Sequence, residues 1–577
     1  MSSAKEPVTR RFGNGLTVLI KEDKSHPVVS LQYWVGTGSM NEGHWQGSGL
    51  SHLLEHLVFK GTAHFSGQEL ARKVQERGGH WNAYTSVNRT VYYIDGPAES
   101  WQIFLNLLTE LVFFPTFPED EMEREKEVVR REMAMYADDP DSVAYQLLMQ
   151  TLYLKHPRRW PVLGERAAFD CLTRQDVLDY HASRYVPNNV VLSIAGDVDA
   201  AEILSHLELL VEDLKSRPLN REPIPHEPHQ FGSRRVRKEF AVPYSKLHLA
   251  WRLPCSAHPD TPALSALSSI LGGGRSARFY EKFHDRLGLV YSIEVHSNQS
   301  ETDEGAFTIS MDVDRAQRDK VRDLVLQELR NLAEEDFTED LKRVCKQTRV
   351  SRLRRRSSAS GVASEMGADW FGSRNLNLSS EWQEAIERGT TEDLHRVCST
   401  WLSSPNVTEV SLDPPGSNAG DEERASASAG TALSEHVLGN GMKVVIREDH
   451  RLPLAYACMA FKAGCRAENE HDAGVTDLMS ECLLKGTSTR SAADIARFLE
   501  DIGGAINTST GNNSLSVGCQ VLAEDLDAGL ELMADVVMNP SFPEDAFLRE
   551  KESFVADAEE DMEDPLSVAF RQERKGA

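Results

Sequence analysis

Short apolar clusters with strand-like spacing, at 16–20, 28–33, 91–94 and 190–195, alternate with longer stretches in which apolar residues return every three or four positions, as at 66–77 and 101–113. The first kind predicts β-strands and the second amphipathic helices. The alternation restarts near Arg235, with strand patterns at 246–251 and 306–311 and helical patterns at 316–335 and 338–354. This order of elements fits two successive α/β sandwiches, each a sheet covered by helices on one side.

The chain also repeats itself. Phe12-Gly-Asn-Gly-Leu-Thr-Val returns as Leu438-Gly-Asn-Gly-Met-Lys-Val, an offset of 438 − 12 = 426. Lys60-Gly-Thr then returns as Lys485-Gly-Thr, Phe117-Pro-Glu-Asp as Phe542-Pro-Glu-Asp, and Arg124-Glu-Lys-Glu as Arg549-Glu-Lys-Glu, each at an offset of 425. An ordered series of this kind marks a duplicated unit. Between the copies, 413–430 is small, polar and turn-rich without helical or strand period, and reads as a tether. The expected organisation is an α/β domain at 1–220, a second at 221–412, a flexible linker at 413–432, and at 433–577 a degenerate copy of the first domain. That copy stops where the first had reached about position 152, so the second unit reads as incomplete.

Candidate chemistry lies in the first copy. In Gly49-Leu-Ser-His-Leu-Leu-Glu-His-Leu-Val-Phe-Lys-Gly61 the apolar positions 50, 53, 54, 57 and 58 describe a helix, with His52 and His56 one turn apart on one face. Imidazoles at i and i+4 can bind one metal ion, and Glu55 beside them can take a proton from a metal-bound water. Two histidines on a core helix are the plain alternative. A third ligand is expected on the helix opened by Pro118. There Met122, Val129 and Tyr136 form an inward stripe, and Glu125 and Glu132 occupy the intervening positions, where a carboxylate is costly unless paired or metal-bound. Glu132 is read as the third ligand and Glu125 as support for the site, against the alternative of a salt-bridge network. At the 425 offset His52, Glu55 and His56 become Asp477, Ser480 and Glu481, while Glu125 and Glu132 become Glu550 and Asp557. The second copy should hold no catalytic zinc, so one ion per chain is expected.

These motifs resemble the pitrilysin/insulinase family of zinc metallopeptidases, especially members similar to the mitochondrial processing peptidase. The family's inverted His-x-x-Glu-His is followed 76 residues later by a glutamate ligand, and here 132 − 56 = 76. The resemblance implies an α+β fold of duplicated two-layer sandwiches of the metallopeptidase type, two per unit, forming half of a clamshell chamber. It implies Glu55 as the general base. Gly78-Gly-His-Trp-Asn-Ala-Tyr-Thr-Ser86 resembles the edge-strand segment that holds extended substrate, which makes Asn82 and Ala83 substrate-binding candidates; for Asn82 a turn or strand-start role is the alternative. Leu287-Gly-Leu-Val-Tyr-Ser is similar to the family's Gly-Leu-Ala-Tyr segment and implies a substrate contact for Tyr291. The family's arginine seven residues before that tyrosine is replaced by His284.

Composition narrows the field further. Lys and Arg number 63 against 89 Asp and Glu, and 63 − 89 = −26 disfavours nucleic acid and anionic membrane as partners. Eight cysteines without a Cys-x-x-Cys pair point to reduced thiols. No run approaches the ~20 apolar residues of a spanning helix or a signal stretch, so a cytoplasmic protein without membrane insertion is expected. The leading expectation is a zinc endopeptidase acting on extended peptides or unfolded segments. The alternatives are a catalytically silent peptide-binding or assembly subunit and a small-molecule metal lyase. A homodimer or separate partner chain is expected to complete the chamber. Two histidines and a carboxylate also suit cobalt or manganese.

Overall fold

The structure, a computed structural model, describes residues 6–219, 223–299, 304–402 and 406–415, and then 434–446, 454–464, 468–469, 472–502, 504–511, 513–551 and 554. Most of the expected linker 413–432 lies outside the described residues, as does Asp557. The chain separates into two units, Met1–Asp421 and Glu422–Ala577.

In the first unit β1 (Val8–Arg11), β2 (Thr17–Glu22), β3 (Val28–Val35), β4 (His80–Thr85), β5 (Thr90–Pro97) and β6 (Val190–Gly196) form one sheet in the order β1-β2-β6-β3-β5-β4. Only the β2/β6 pair is parallel. A second sheet holds β7 (Arg234–Glu239), β8 (Ser245–Leu253), β9 (Val290–Asn298), β10 (Gly305–Val313) and β11 (Thr408–Asp413) in the order β7-β11-β8-β10-β9, with β7/β11 parallel. Apart from β1 the two sheets share one topology, so the first unit is itself built from two related halves, and β4 and β9 are the equivalent edge strands.

Helices α1 (Leu50–Val58), α2 (Gly67–Gln75) and α3 (Trp101–Phe113) bury their apolar faces against Val18, Ile20, Val29, Leu31, Tyr33 and Val35 on one side of the first sheet. Because side chains alternate along a strand, Leu19, Trp34, Val91 and Val191 point to the other side. That side is covered as well, by the helix Ala359–Ser373 from the second half, through Val362, Ala363 and Met366. Gln32 Nε2 donates to Ser364 Oγ at 3.1 Å, and Ser193 Oγ donates to the Ala363 carbonyl at 2.7 Å. The exchange is mutual. After α4 (Glu119–Asp138), α5 (Pro140–Leu152) leaves the first half and packs Leu148, Met149 and Leu152 on Ala250, Ala306 and Val410 of the second sheet. Lys246 Nζ meets Asp141 there at 2.7 Å. Helices on one side only, as the sequence suggests, is therefore corrected: continuous apolar strands need cover on both faces, and each half lends the other a helix.

The described strands of the second unit follow those at the start of the first. Ser434–Val437, Lys443–Ile446 and Leu454–Phe461 (β12, β13, β14) lie 426 positions after β1, β2 and β3, and Ala505–Thr510 and Leu515–Leu522 (β15, β16) lie 425 after β4 and β5. Fine detail is kept: Phe117 and Phe542, each before proline, take φ of 48° and 44°.

Trp34 provides a test of the helix exchange. A Cβ built on Gly367 would lie 2.3 Å from its ring. Glycine to alanine within a helix ordinarily stabilises by about 1 kcal/mol. Gly367→Ala should instead destabilise by about 1–3 kcal/mol through overpacking, read as a lowered midpoint in denaturant titration of the intact chain.

Candidate active site

By burying Leu50, Leu53, Leu54, Leu57 and Val58, α1 turns His52, Glu55 and His56 away from the core. The Ser51 N–H at the start of the helix donates to Glu42 Oε1 at 2.9 Å, and burial pushes the Glu42 carboxyl up to about 8. Helix α4 packs against α1 with Met122, Glu125 and Val129 buried. Tyr136, expected on the same inward stripe, is 51% exposed, because the last turns of α4 run past the core.

Glu132 Oε2 lies 3.8 Å from His52 Nε2 and 3.9 Å from His56 Nε2, and the three ligand atoms all lie within 4.8 Å of one another. A tetrahedral ion with bonds of about 2.0–2.1 Å has ligand edges of about 3.3–3.4 Å, so each histidine–glutamate edge would contract by about half an ångström around it. Burial, with a smaller contribution from His56, draws His52 down to about 3, which keeps its Nε2 lone pair available. At His56 burial works in the same direction, but the hydrogen bond with Glu125 and the charges of Glu55, Glu125 and Glu132 outweigh it and raise its pKa. Two imidazoles and a carboxylate at this spacing fit a divalent metal ion. Among the described residues no other group of three such side chains converges in this way.

Glu125 stands behind His56. Its Oε2 is 3.1 Å from His56 Nδ1 and its Oε1 is 2.6 Å from Lys60 Nζ. Burial pushes its pKa up, yet the bonds to His56 and Lys60 hold it below the usual range. With Nδ1 engaged, Nε2 of His56 is directed to the cluster. Glu125 thus touches a ligand rather than the reacting centre. Glu55, between the histidines, accepts a hydrogen bond from Thr85 Oγ1 at 2.5 Å, and burial is the main reason that its proton affinity is raised.

Asn82 and Ala83 lie on β4, the last strand of the first sheet, and α1 packs beside it. Asn82 Oδ1 accepts the Ala83 N–H at 2.8 Å. Tyr291 lies on β9, the edge of the other sheet, exposed, with its ring 5.3 Å from Tyr244. His284 stacks on Tyr280 and bonds Asp285 through Nδ1. Among the described residues the side-chain partners of Tyr291 and His284 are these, and none belongs to the His52–His56 cluster. Two cavities, of about 820 and 850 Å³, lie away from it, lined by residues such as Asn188 and Phe371 or Lys342 and His395. The cluster lies beside β4, whose outer side is paired with no described strand.

Thr85, Lys60 and Glu42 went unread as site residues. Lys60 carried a signal, since Lys-Gly-Thr is part of the repeat. In the second unit Lys485 still pairs with Glu550 at 2.6 Å and Glu468 still caps the helix Val475–Leu483 through the Gly474 and Thr476 N–H groups. Thr510, the counterpart of Thr85, donates to Asp477. The frame of the site persists there without its imidazoles.

Sequence comparison matches the model of the insulinase family (peptidase family M16) at residues 17–166 and again at 443–574, and the model of the peptidase M16 inactive domain at 172–347. An uncharacterized zinc protease of Rickettsia felis is 27% identical over 412 residues, 69% of this chain and 96% of that one. The zinc protease PqqE of Helicobacter pylori is 26% identical over 418 residues, 71% and 93% of the two chains. The crystal structure of a protease from Helicobacter pylori superposes with a TM-score of 0.65 at 26% identity, covering 71% of this chain and all of that one. The periplasmic protease PqqL of Escherichia coli, at 14% identity and TM-score 0.60, shares the fold over 95% of this chain and 68% of its own. Among the described residues no helix is long and apolar enough to cross a membrane. With both copies and the intervening domain matched, the chain belongs to the insulinase family, peptidase family M16.

Proposed function

We propose that the chain is a zinc-dependent endopeptidase that cuts extended peptides or unfolded segments. The convergence of His52, His56 and Glu132 beside a buried, hydrogen-bonded Glu55 carries this reading, and the names of relatives as zinc proteases support the choice of metal. His52 and His56 would hold the ion through Nε2 and Glu132 through Oε2. A bound zinc supplies Lewis acidity toward water and toward a peptide carbonyl. Glu55, its proton affinity raised by burial, takes the proton of the attacking water and passes it to the leaving amine. The Thr85 hydroxyl fixes one Glu55 oxygen and leaves the other for that proton.

Substrate pairs with β4, so main-chain hydrogen bonds provide affinity with little sequence preference. Asn82, whose side chain satisfies the Ala83 N–H, turns to the substrate backbone once that N–H is taken by the added strand. Tyr291 reaches substrate from the edge of the second sheet. A second copy or a partner chain completes the enclosure.

Metal analysis combined with turnover of quenched, unstructured peptides tests the reading. Wild type should carry one zinc per chain and cleave. Glu55→Gln should keep the zinc and lose activity by about 10²–10⁴-fold, and Glu132→Gln should lose the zinc. Zinc retained with no peptide cut by wild type would overturn catalysis in favour of a peptide-binding subunit.

The histidines also predict how zinc binding depends on pH. His52 stays neutral down to about pH 3, whereas His56 is protonated below a pKa raised above the ordinary imidazole value. In the range from about pH 6 down to pH 5 a single proton therefore competes with the metal. Chelator competition should show zinc affinity falling about tenfold per pH unit there, the slope of one imidazole and not two.

A further inference from the structure

The cavity of about 820 Å³ lies within the first unit, where the helix lent by the second half ends against the first sheet. Strands β1 and β6 contribute Arg11, Val190 and Val191, and the last turn of the helix Ala359–Ser373 contributes Trp370 and Phe371, with Arg374 directly after it. Its polar lining is one-sided. Arg11 and Arg374 are exposed, and among the described residues neither forms an ion pair or a side-chain hydrogen bond. Asn41, in the same lining, accepts the Gly38 N–H through Oδ1 at 3.3 Å, which leaves its Nδ2 as a donor, and the buried Nε1–H of Trp370 has no acceptor. No described lining residue is acidic, although acids outnumber bases by 89 − 63 = 26 in the whole chain. Burial, and then the charge of Arg11, lower the pKa of Arg374, as expected of two cations that share one mouth without a carboxylate. The duplicated frame does not require Arg11, because its counterpart in the second unit is Val437 (11 + 426 = 437). Guanidinium pairs with further N–H donors select an oxyanion, and apolar walls select what carries it.

We propose that this cavity binds a small molecule with one oxyanion head, a carboxylate or a phosphate, on an apolar body. The head lies between Arg11 and Arg374, and the body lies against Val190, Val191 and Phe371. A volume of this size falls within the roughly 300–1,000 Å³ of small-molecule sites. The ligand touches β6 of the first half and the helix lent by the second, so its binding favours the state in which that helix is docked. The site is separate from the cluster of His52, His56 and Glu132, and the inference does not rest on peptidase activity.

The test adds 11-(dansylamino)undecanoate, below its micellar concentration, to the intact wild-type chain. Dansyl fluorescence reports binding and amide hydrogen exchange locates it. The probe should bind saturably and slow exchange at 190–191 and 370–374. Dodecanoate or dodecyl phosphate should displace it, the better competitor identifying the head, whereas dodecanol should compete at least about tenfold less well. Two variants carry the argument to the residues. Arg374→Gly suits the φ of 59° at that position, which glycine adopts freely, and Arg11→Val installs the residue of the second unit. Both should keep the wild-type Tm without ligand, and each should weaken probe binding at least about tenfold. No saturable binding, equal competition by dodecanol, undiminished binding in either variant, or protection confined to the second unit would overturn the proposal.

Discussion

The site depends on α1 and α4 being held in one register, and one short chain of polar contacts sets it. Lys60, just beyond the end of α1, meets Glu125 on α4, which meets His56 back on α1. Around a largely buried carboxylate this closes a loop from helix to helix, and low local polarity makes each contact directional and costly to break. With that loop in place, Glu132, seven residues along α4, comes to face both histidines. The Glu42 cap secures the start of α1 in the same frame.

The second unit separates frame from chemistry. It keeps the acid cap, the Lys485–Glu550 pair and the backbone geometry around Phe542, although both histidine positions of the ligand helix have become acidic, as Asp477 and Glu481. Carboxylates near such a helix are therefore weak evidence for a metal site. The imidazole pair is strong evidence, because nothing in the packing requires it. The same comparison assigns Lys60 and Glu42 to the supporting frame rather than to the metal-ligand set.

Much of this was legible in the chain itself. Helical spacing placed His52, Glu55 and His56 on one face, and the repeat set strand positions in both units. The stripe on α4 singled out Glu125 and Glu132, yet failed at Tyr136, since periodicity says which residues share a face but not where the core beneath that face ends. Thr85 escaped because its role arises from β4 crossing beside α1, a contact spanning 30 residues. The helix exchange escaped for a different reason. Ala359–Ser373 is rich in glycine, alanine and serine and lacks a pronounced apolar stripe; its fit to the sheet depends on shape, with Gly367 under Trp34, and on polar contacts with Gln32 and Ser193.

That exchange constrains the order of events during synthesis. Gln32 waits for Ser364, 332 residues later. As the chain leaves the ribosome the first sheet can close over α1 and α3, but its rear face, with Trp34, Leu19 and Val191, stays bare until most of the second half has been made. Contacts so distant in sequence form late and leave sticky surface exposed while they wait. A nascent first unit therefore keeps apolar surface uncovered until both halves are present, and α5, which starts directly after the extended Asp139 that ends α4, finds its sheet only then.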